Sequence, residues 1–127
     1  MLTSEEIFIT DYEKVILDLY RFGNATHARF DNIRPLKDAR IEVRLEGKKE
    51  VKYIMADGNG ISVFSTFDPK KRNTWKIPKN TPLPSGVKLV EDKRPGHQNH
   101  YMLAPADEMR LSDFVDLLKK LITIKVS

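Results

Sequence analysis

The 127-residue chain contains no cysteine, which removes disulfides, thiolate nucleophiles and cysteine-based metal sites in one step. Long apolar runs are missing as well. The longest, Tyr53 to Ala56 and Tyr101 to Ala104, are four residues each, far short of a membrane span. The amino terminus, Met-Leu-Thr-Ser-Glu-Glu, has neither the basic start nor the apolar stretch of a signal peptide, so a cytoplasmic setting is expected. There is no Gly-rich phosphate loop of the Walker or dinucleotide type and no Gly-x-Ser-x-Gly elbow, so neither an NTPase nor a hydrolase triad is indicated. Histidine occurs three times, as His27, His97 and His100. None of these forms the helical i, i+4 pair of a zinc protease, and no metal is expected.

What is present is the composition of a soluble globule, 40% hydrophobic and 31% charged, sized for a single domain over residues 1–127. The formal net charge is +4, and it is unevenly placed. Residues 1–20 carry five acids and one base, whereas residues 68–96 carry eight Lys or Arg against three acids. With Phe67 and Trp75 nearby, that basic segment suits a phosphate backbone, a dinucleotide or an acidic protein. Lysines guarding a sheet edge would look the same.

Hydrophobic patterning predicts short strands and one helix. Val15 to Arg21 is a β-rich run ended by the turn residues Gly23 and Asn24. Ile41 to Leu45 alternates apolar and charged side chains, as a strand with one wet face does. Val51 to Ala56 and Ile61 to Phe67 flank the turn cluster Asp57-Gly58-Asn59-Gly60. Trp75 to Ile77, Val87 to Val90 and His100 to Leu103 read as further strands, with Pro78, Pro82 and Pro84 favouring an extended edge. Leu111, Phe114, Val115, Leu118, Leu121 and Ile122 recur at helical spacing, with acids early and lysines late. The fold class expected is α+β: several short strands with a terminal helix packed on them.

Arg21 stands out by position. At the end of an apolar strand, a guanidinium can bind a pyrophosphate through two parallel hydrogen bonds, or simply form a salt bridge. Ser62 and His100 have equally ordinary readings as a local hydrogen-bonding group and a structural imidazole.

Taken in order, Leu19-Tyr20-Arg21, Gly60-Ile61-Ser62-Val63-Phe64, Trp75-Lys76-Ile77-Pro78 with Thr81 and Pro84, Leu89, and His100-Tyr101 with Pro105-Ala106 and Met109 resemble one group of proteins. These are the small bacterial toxins of the type VI secretion effector group with an ADP-ribosyltransferase-like fold. The resemblance covers residues 11–24, including Tyr12-Glu13-Lys14, and residues 58–109; residues 25–57 do not align. It implies two small, mainly antiparallel sheets around a cleft that takes NAD as substrate. It further implies growth arrest in interbacterial competition, in the cytoplasm of the producer or of a target cell, and neutralisation by an acidic immunity protein or antitoxin.

Carried over by position, Arg21 would hold the dinucleotide phosphates, Ser62 would orient the nicotinamide ribose, and His100 would line the same cleft. These three form the expected catalytic set. Tyr20, Gly23, Phe64 and Tyr101 join Arg21 and Ser62 in the expected cofactor-binding set, with Trp75 a further candidate to wall in the nicotinamide. The glutamate that such enzymes usually provide has no clear counterpart, and Glu108, Glu91 and Asp92 leave that role open. ADP-ribosyl transfer, NAD hydrolysis and a cleft that acts by binding are all compatible with this pattern. The alternative is a non-enzymatic basic domain acting on RNA, DNA or the ribosome through residues 68–96.

Overall fold

A computed structural model describes residues 14–127 in full and the backbone of residues 7–8. Glu5, Glu6, Asp11, Glu13 and the start of the Tyr12-Glu13-Lys14 match lie outside the described residues. The elements in chain order are β1 (Ile7–Phe8), β2 (Leu19–Phe22), β3 (Ile41–Glu46), β4 (Lys49–Ile54), β5 (Ile61–Phe64) and β6 (Thr74–Ile77). They continue with β7 (Val87–Asp92), β8 (His100–Pro105), β9 (Met109–Arg110), α1 (Leu111–Leu118) and β10 (Ile124–Lys125). Seven strands form one sheet in the order β1-β7-β8-β5-β2-β6-β10, and three form a second in the order β3-β4-β9. Every pairing between these strands is antiparallel. The protein is therefore α+β, with two antiparallel sheets and a helix near the C-terminus, consistent with an ADP-ribosyltransferase-like fold.

Alternation along the strands divides the large sheet into two chemically different faces. Leu19, Ile61, Val63, Ile77, Leu89 and Leu103 are fully buried on the inner face. They form one core with Ile54 of the small sheet and with Phe114 and Leu118 of α1. Burying such side chains stabilises the fold by about 1.5–3 kcal/mol each. The other face carries Ser62 and Phe64 of β5, opposite Met102 and His100 of β8. Because Val90 pairs with Met102, the alternate position Asp92 falls on that same face.

The expected strands are found, with shifted ends. The run from Val15 becomes a strand only at Leu19. Before that, Val15 exchanges backbone hydrogen bonds with Thr81 and Asn80, and Pro82, lacking an N–H, stops the ladder there. Helix α1 ends at Leu118 and its last carbonyls are met by tight turns at Lys119 to Leu121. Leu121 is buried, but Ile122 is 58% exposed, because the β-branched run after it leaves the helix to pair with β6. The two-residue strands β1, β9 and β10 have no sequence pattern of their own and exist through their partners.

Glycine is required where chains cross. A Cβ on Gly60 would lie 1.9 Å from the Leu103 carbonyl oxygen, and one on Gly23 would lie 2.3 Å from that of His27. Gly60 thereby lets β5 start against β8, and Gly23 lets the β2–β3 connection fold back over the end of β2.

Candidate functional site

Two adjoining cavities open on the polar side of the large sheet, of about 280 and 380 Å³. Arg34, Asp38, Ser62 and Phe64 line both. Arg21 and Phe22 continue the cleft at one end, and Arg94, His97 and His100 at the other. Its aromatic wall is a row: Phe22 stacks on Phe64 with ring centroids 5.4 Å apart, and Phe64 meets the His100 ring at 5.3 Å. A larger depression between β4 and α1 brings together none of the expected catalytic or cofactor-binding residues.

At the centre of the cleft is a chain of hydrogen bonds. The His100 Nδ1 is 2.7 Å from Asp92 Oδ2, and its Nε2 is 2.8 Å from Ser62 Oγ. The Asp92 side chain is wholly buried and the His100 side chain is 14% exposed. Burial alone would raise the carboxyl pKa of Asp92. Hydrogen bonds from Arg94 and His100 outweigh it and hold the group well below the usual carboxylate range. Arg94 supplies its backbone N–H at 3.1 Å, Nε at 3.1 Å and Nη2 at 2.9 Å.

Asp38, across the cleft, is clamped in a similar way. It accepts from Arg34 through the backbone N–H at 2.8 Å, Nε at 3.1 Å and Nη2 at 2.9 Å. Burial again opposes ionisation, and the Arg34 bonds again prevail, so its pKa is lowered. Residues 25–57, which the resemblance read from the sequence left out, contribute Asn32, Arg34, Lys37 and Asp38 to the cleft. No motif marks them in the sequence.

Arg21 is buried at the floor. Its Nε donates to the Ala28 carbonyl at 3.0 Å, Nη1 to that of Ser62 at 2.9 Å, and Nη2 to that of Arg29 at 3.0 Å. A guanidinium has five N–H groups, so at most two remain for a ligand. Burial is the largest influence on its pKa and pushes it down to about 10, against the attraction of Asp38; the group is still a cation at neutral pH. Arg21 therefore ties the β2–β3 connection to the strand that carries Ser62.

The other selected residues divide between the faces. Tyr20 lies opposite Phe64 on the polar face and touches the Phe67 ring at 5.5 Å. Tyr101 and Trp75 instead pack on the main core, and the Trp75 Nε1 donates to the Asn24 carbonyl at 2.9 Å. Gly23 shapes the backbone beside Arg21. Glu108 is exposed and bonded to Arg44 of the small sheet, apart from the cleft lining. Glu91 is paired with Lys93.

The basic segment also reaches this side of the molecule: Lys71 sits 5.7 Å over the Phe22 ring, and Arg94 closes the opposite end. Asp92, His97 and His100 bring three donor atoms within 4.8 Å of one another. The Arg94 guanidinium is bonded to both Asp92 and His97, so positive charge already fills part of that space.

The arrangement offers cations for a pyrophosphate, an aromatic wall for a flat ring, and a hydrogen-bonded acid–imidazole–hydroxyl chain beside them. No curated protein and no solved structure gives a significant match. The family model of the Tse2 ADP-ribosyltransferase toxins matches residues 18–125, a span that holds both sheets' central strands, the whole cleft and helix α1. With this match over most of its length, the chain belongs to the Tse2 ADP-ribosyltransferase toxin family.

Proposed function

We propose that the protein binds NAD in the Ser62–His100 cleft and releases nicotinamide by ADP-ribosyl transfer or hydrolysis, arresting growth in the cytoplasm where it acts. The observation that carries this reading is the convergence of Arg21, Ser62 and His100 on one cleft in a member of an ADP-ribosyltransferase family. The residues suit the substrate. Arg34, Lys37 and Arg94 offer charge to the phosphates, Phe64 and Phe22 offer a face to the nicotinamide, and Ser62 offers a hydroxyl to the ribose. Breaking the bond between nicotinamide and ribose passes through a cation-like sugar, and holding both ends of the dinucleotide aligns it for that step.

A dedicated acidic immunity protein, as in toxin–antitoxin pairs and type VI secretion, fits the same surface. The cations of residues 68–96 that flank the cleft would attract it and speed association. Incubating the purified chain with NAD and a cell lysate, and measuring free nicotinamide, tests the reading. Expression in a sensitive cell should arrest growth, and Ser62→Ala and His100→Ala should each abolish the arrest while remaining folded. Arrest that survives both substitutions removes the catalytic assignment. It would leave a basic domain that binds RNA, DNA or the ribosome, whose affinity must then fall steeply with salt.

A further inference from the structure

We infer that the Asp92–His100–Ser62 chain is the general base of the cleft, taking the proton from the water or acceptor hydroxyl that attacks the ribose of NAD. The inference rests on the NAD reading above and adds to it a named proton path and an acceptor class, an oxygen nucleophile.

The direction of the hydrogen bonds follows from the neighbours. Asp92 is ionised, with Arg94 donating to both its oxygens, so it can only accept from His100. The Nδ1 of His100 therefore carries a proton, and in the neutral imidazole Nε2 presents its lone pair to Ser62 at 2.8 Å. Ser62 must then donate its own hydroxyl hydrogen to Nε2, which turns its remaining lone pairs to a second donor. Ser62 lines both cavities, so that donor is whatever occupies the cleft. Asp92 does not reach the substrate. It is a positioning residue that fixes the imidazole tautomer and stabilises the imidazolium once formed.

The step balances. The attacking O–H gives its proton to Ser62 Oγ as the Ser62 proton passes to Nε2. The new oxygen–carbon bond forms at the ribose C1′ while the C1′–nitrogen bond breaks. Its electron pair returns to the nicotinamide ring, which leaves neutral. His100, now imidazolium beside Asp92, returns the proton to solvent. The charged groups facing His100 are Asp92, Arg94 and His97 from β7 and the following loop, and Arg34, Lys37 and Asp38 across the cavity.

The test uses the full chain with NAD in buffer containing methanol as a probe hydroxyl, following nicotinamide and methyl-ADP-ribose from about pH 5 to 9. Asp92→Asn preserves the shape of the side chain and removes its charge. It should lower kcat about 10²–10³-fold, a general-base loss, with KM for NAD unchanged and the acidic limb of the pH profile displaced. Ser62→Ala should lower kcat comparably, and the double variant little further. Wild-type turnover together with an unchanged rate and profile in Asp92→Asn overturns the relay alone. A wild-type chain that neither binds NAD nor releases nicotinamide overturns the NAD reading and the relay with it. Should Asp92→Asn fail to fold, the tautomer of the neutral His100 ring in the wild type decides by nitrogen NMR: a proton on Nδ1 alone supports the relay, and a proton on Nε2 alone sinks it.

Discussion

Asp38, which lines the cleft, and Asp92, buried behind His100, are held by nearly identical means. Each is buried, each accepts the backbone N–H, Nε and Nη2 of an arginine close in sequence, and each is kept ionised by those bonds. They differ in their histidines, of which Asp92 has two, His97 with Nδ1 at 3.4 Å and His100 at 2.7 Å. Asp92 also accepts from His100, and through it connects to Ser62, whereas Asp38 ends at Arg34. A carboxylate clamped by arginine alone is a local staple that sets where a cation points. The same clamp with an imidazole attached couples its charge to a hydroxyl in the cleft. The direction of the pKa shift is the same at the two sites, and connectivity separates them.

The largest expected break in this comparison comes from the imidazole itself. His100→Ala should reduce nicotinamide release by roughly 10²–10⁴-fold, measured with NAD in excess, and leave the far-UV spectrum unchanged. Arg94→Ala should come next, because it leaves the buried Asp92 with fewer donors; the melting temperature should fall by about 5 °C, read by scanning calorimetry. Asp38→Asn should act on binding, raising KM for NAD up to about fivefold through loss of the Arg34 ion pair, with kcat kept.

Acid titration sharpens the likeness. Both carboxylates have lowered pKa values in the folded protein. Their stabilisation is thus full above the unfolded carboxylate range, near pH 4, and drains away as pH falls below it. Denaturant melts between neutral pH and about pH 2.5 should show a shallower acid loss in Asp38→Asn and Asp92→Asn than in the wild type. The smallest effect belongs to a third arginine–carboxylate pair. Arg44 and Glu108 are bonded on the exposed surface of the small sheet, and Arg44→Ala should change neither turnover nor melting measurably, since exposed pairs are screened.

Much of the framework was legible in the sequence, because alternation marks β3, short apolar runs between turn residues mark β5 and β7, and helical spacing marks α1. Three cleft residues, Arg21, Ser62 and His100, were legible by position in an ordered set of motifs. Asp92 was legible only as one of three open candidates for the missing acid, beside Glu91 and Glu108, and nothing along the chain set it apart from them. Its role depends on register. Glu91 opposite Tyr101 and Phe64 opposite His100 put Asp92, His100 and Phe64 in one row across three strands, and no spacing along the chain encodes that row. The even-numbered positions of β5, β7 and β8 share a face, and this parity was the available signal. Arg34 and Asp38 were hidden for a different reason: they sit in an irregular connection, where side chains are placed by tertiary contacts and not by a period.

Arg21 spends most of its donors on three carbonyls from two backbone stretches, Ala28 and Arg29 of the β2–β3 connection and Ser62 of β5, and this has a thermodynamic consequence. The cleft is braced before any ligand arrives, so little ordering remains to be done on binding and the entropic cost of association is reduced. Charge and brace can be pulled apart by Arg21→Lys, which keeps the cation but has no planar fork to span three acceptors. Such a variant would retain attraction for a dinucleotide yet bind it with a larger ordering penalty, visible as a more unfavourable entropy in calorimetry. In this protein the first arginine of the motif works as a keystone, and the ligand finds a cavity already in shape.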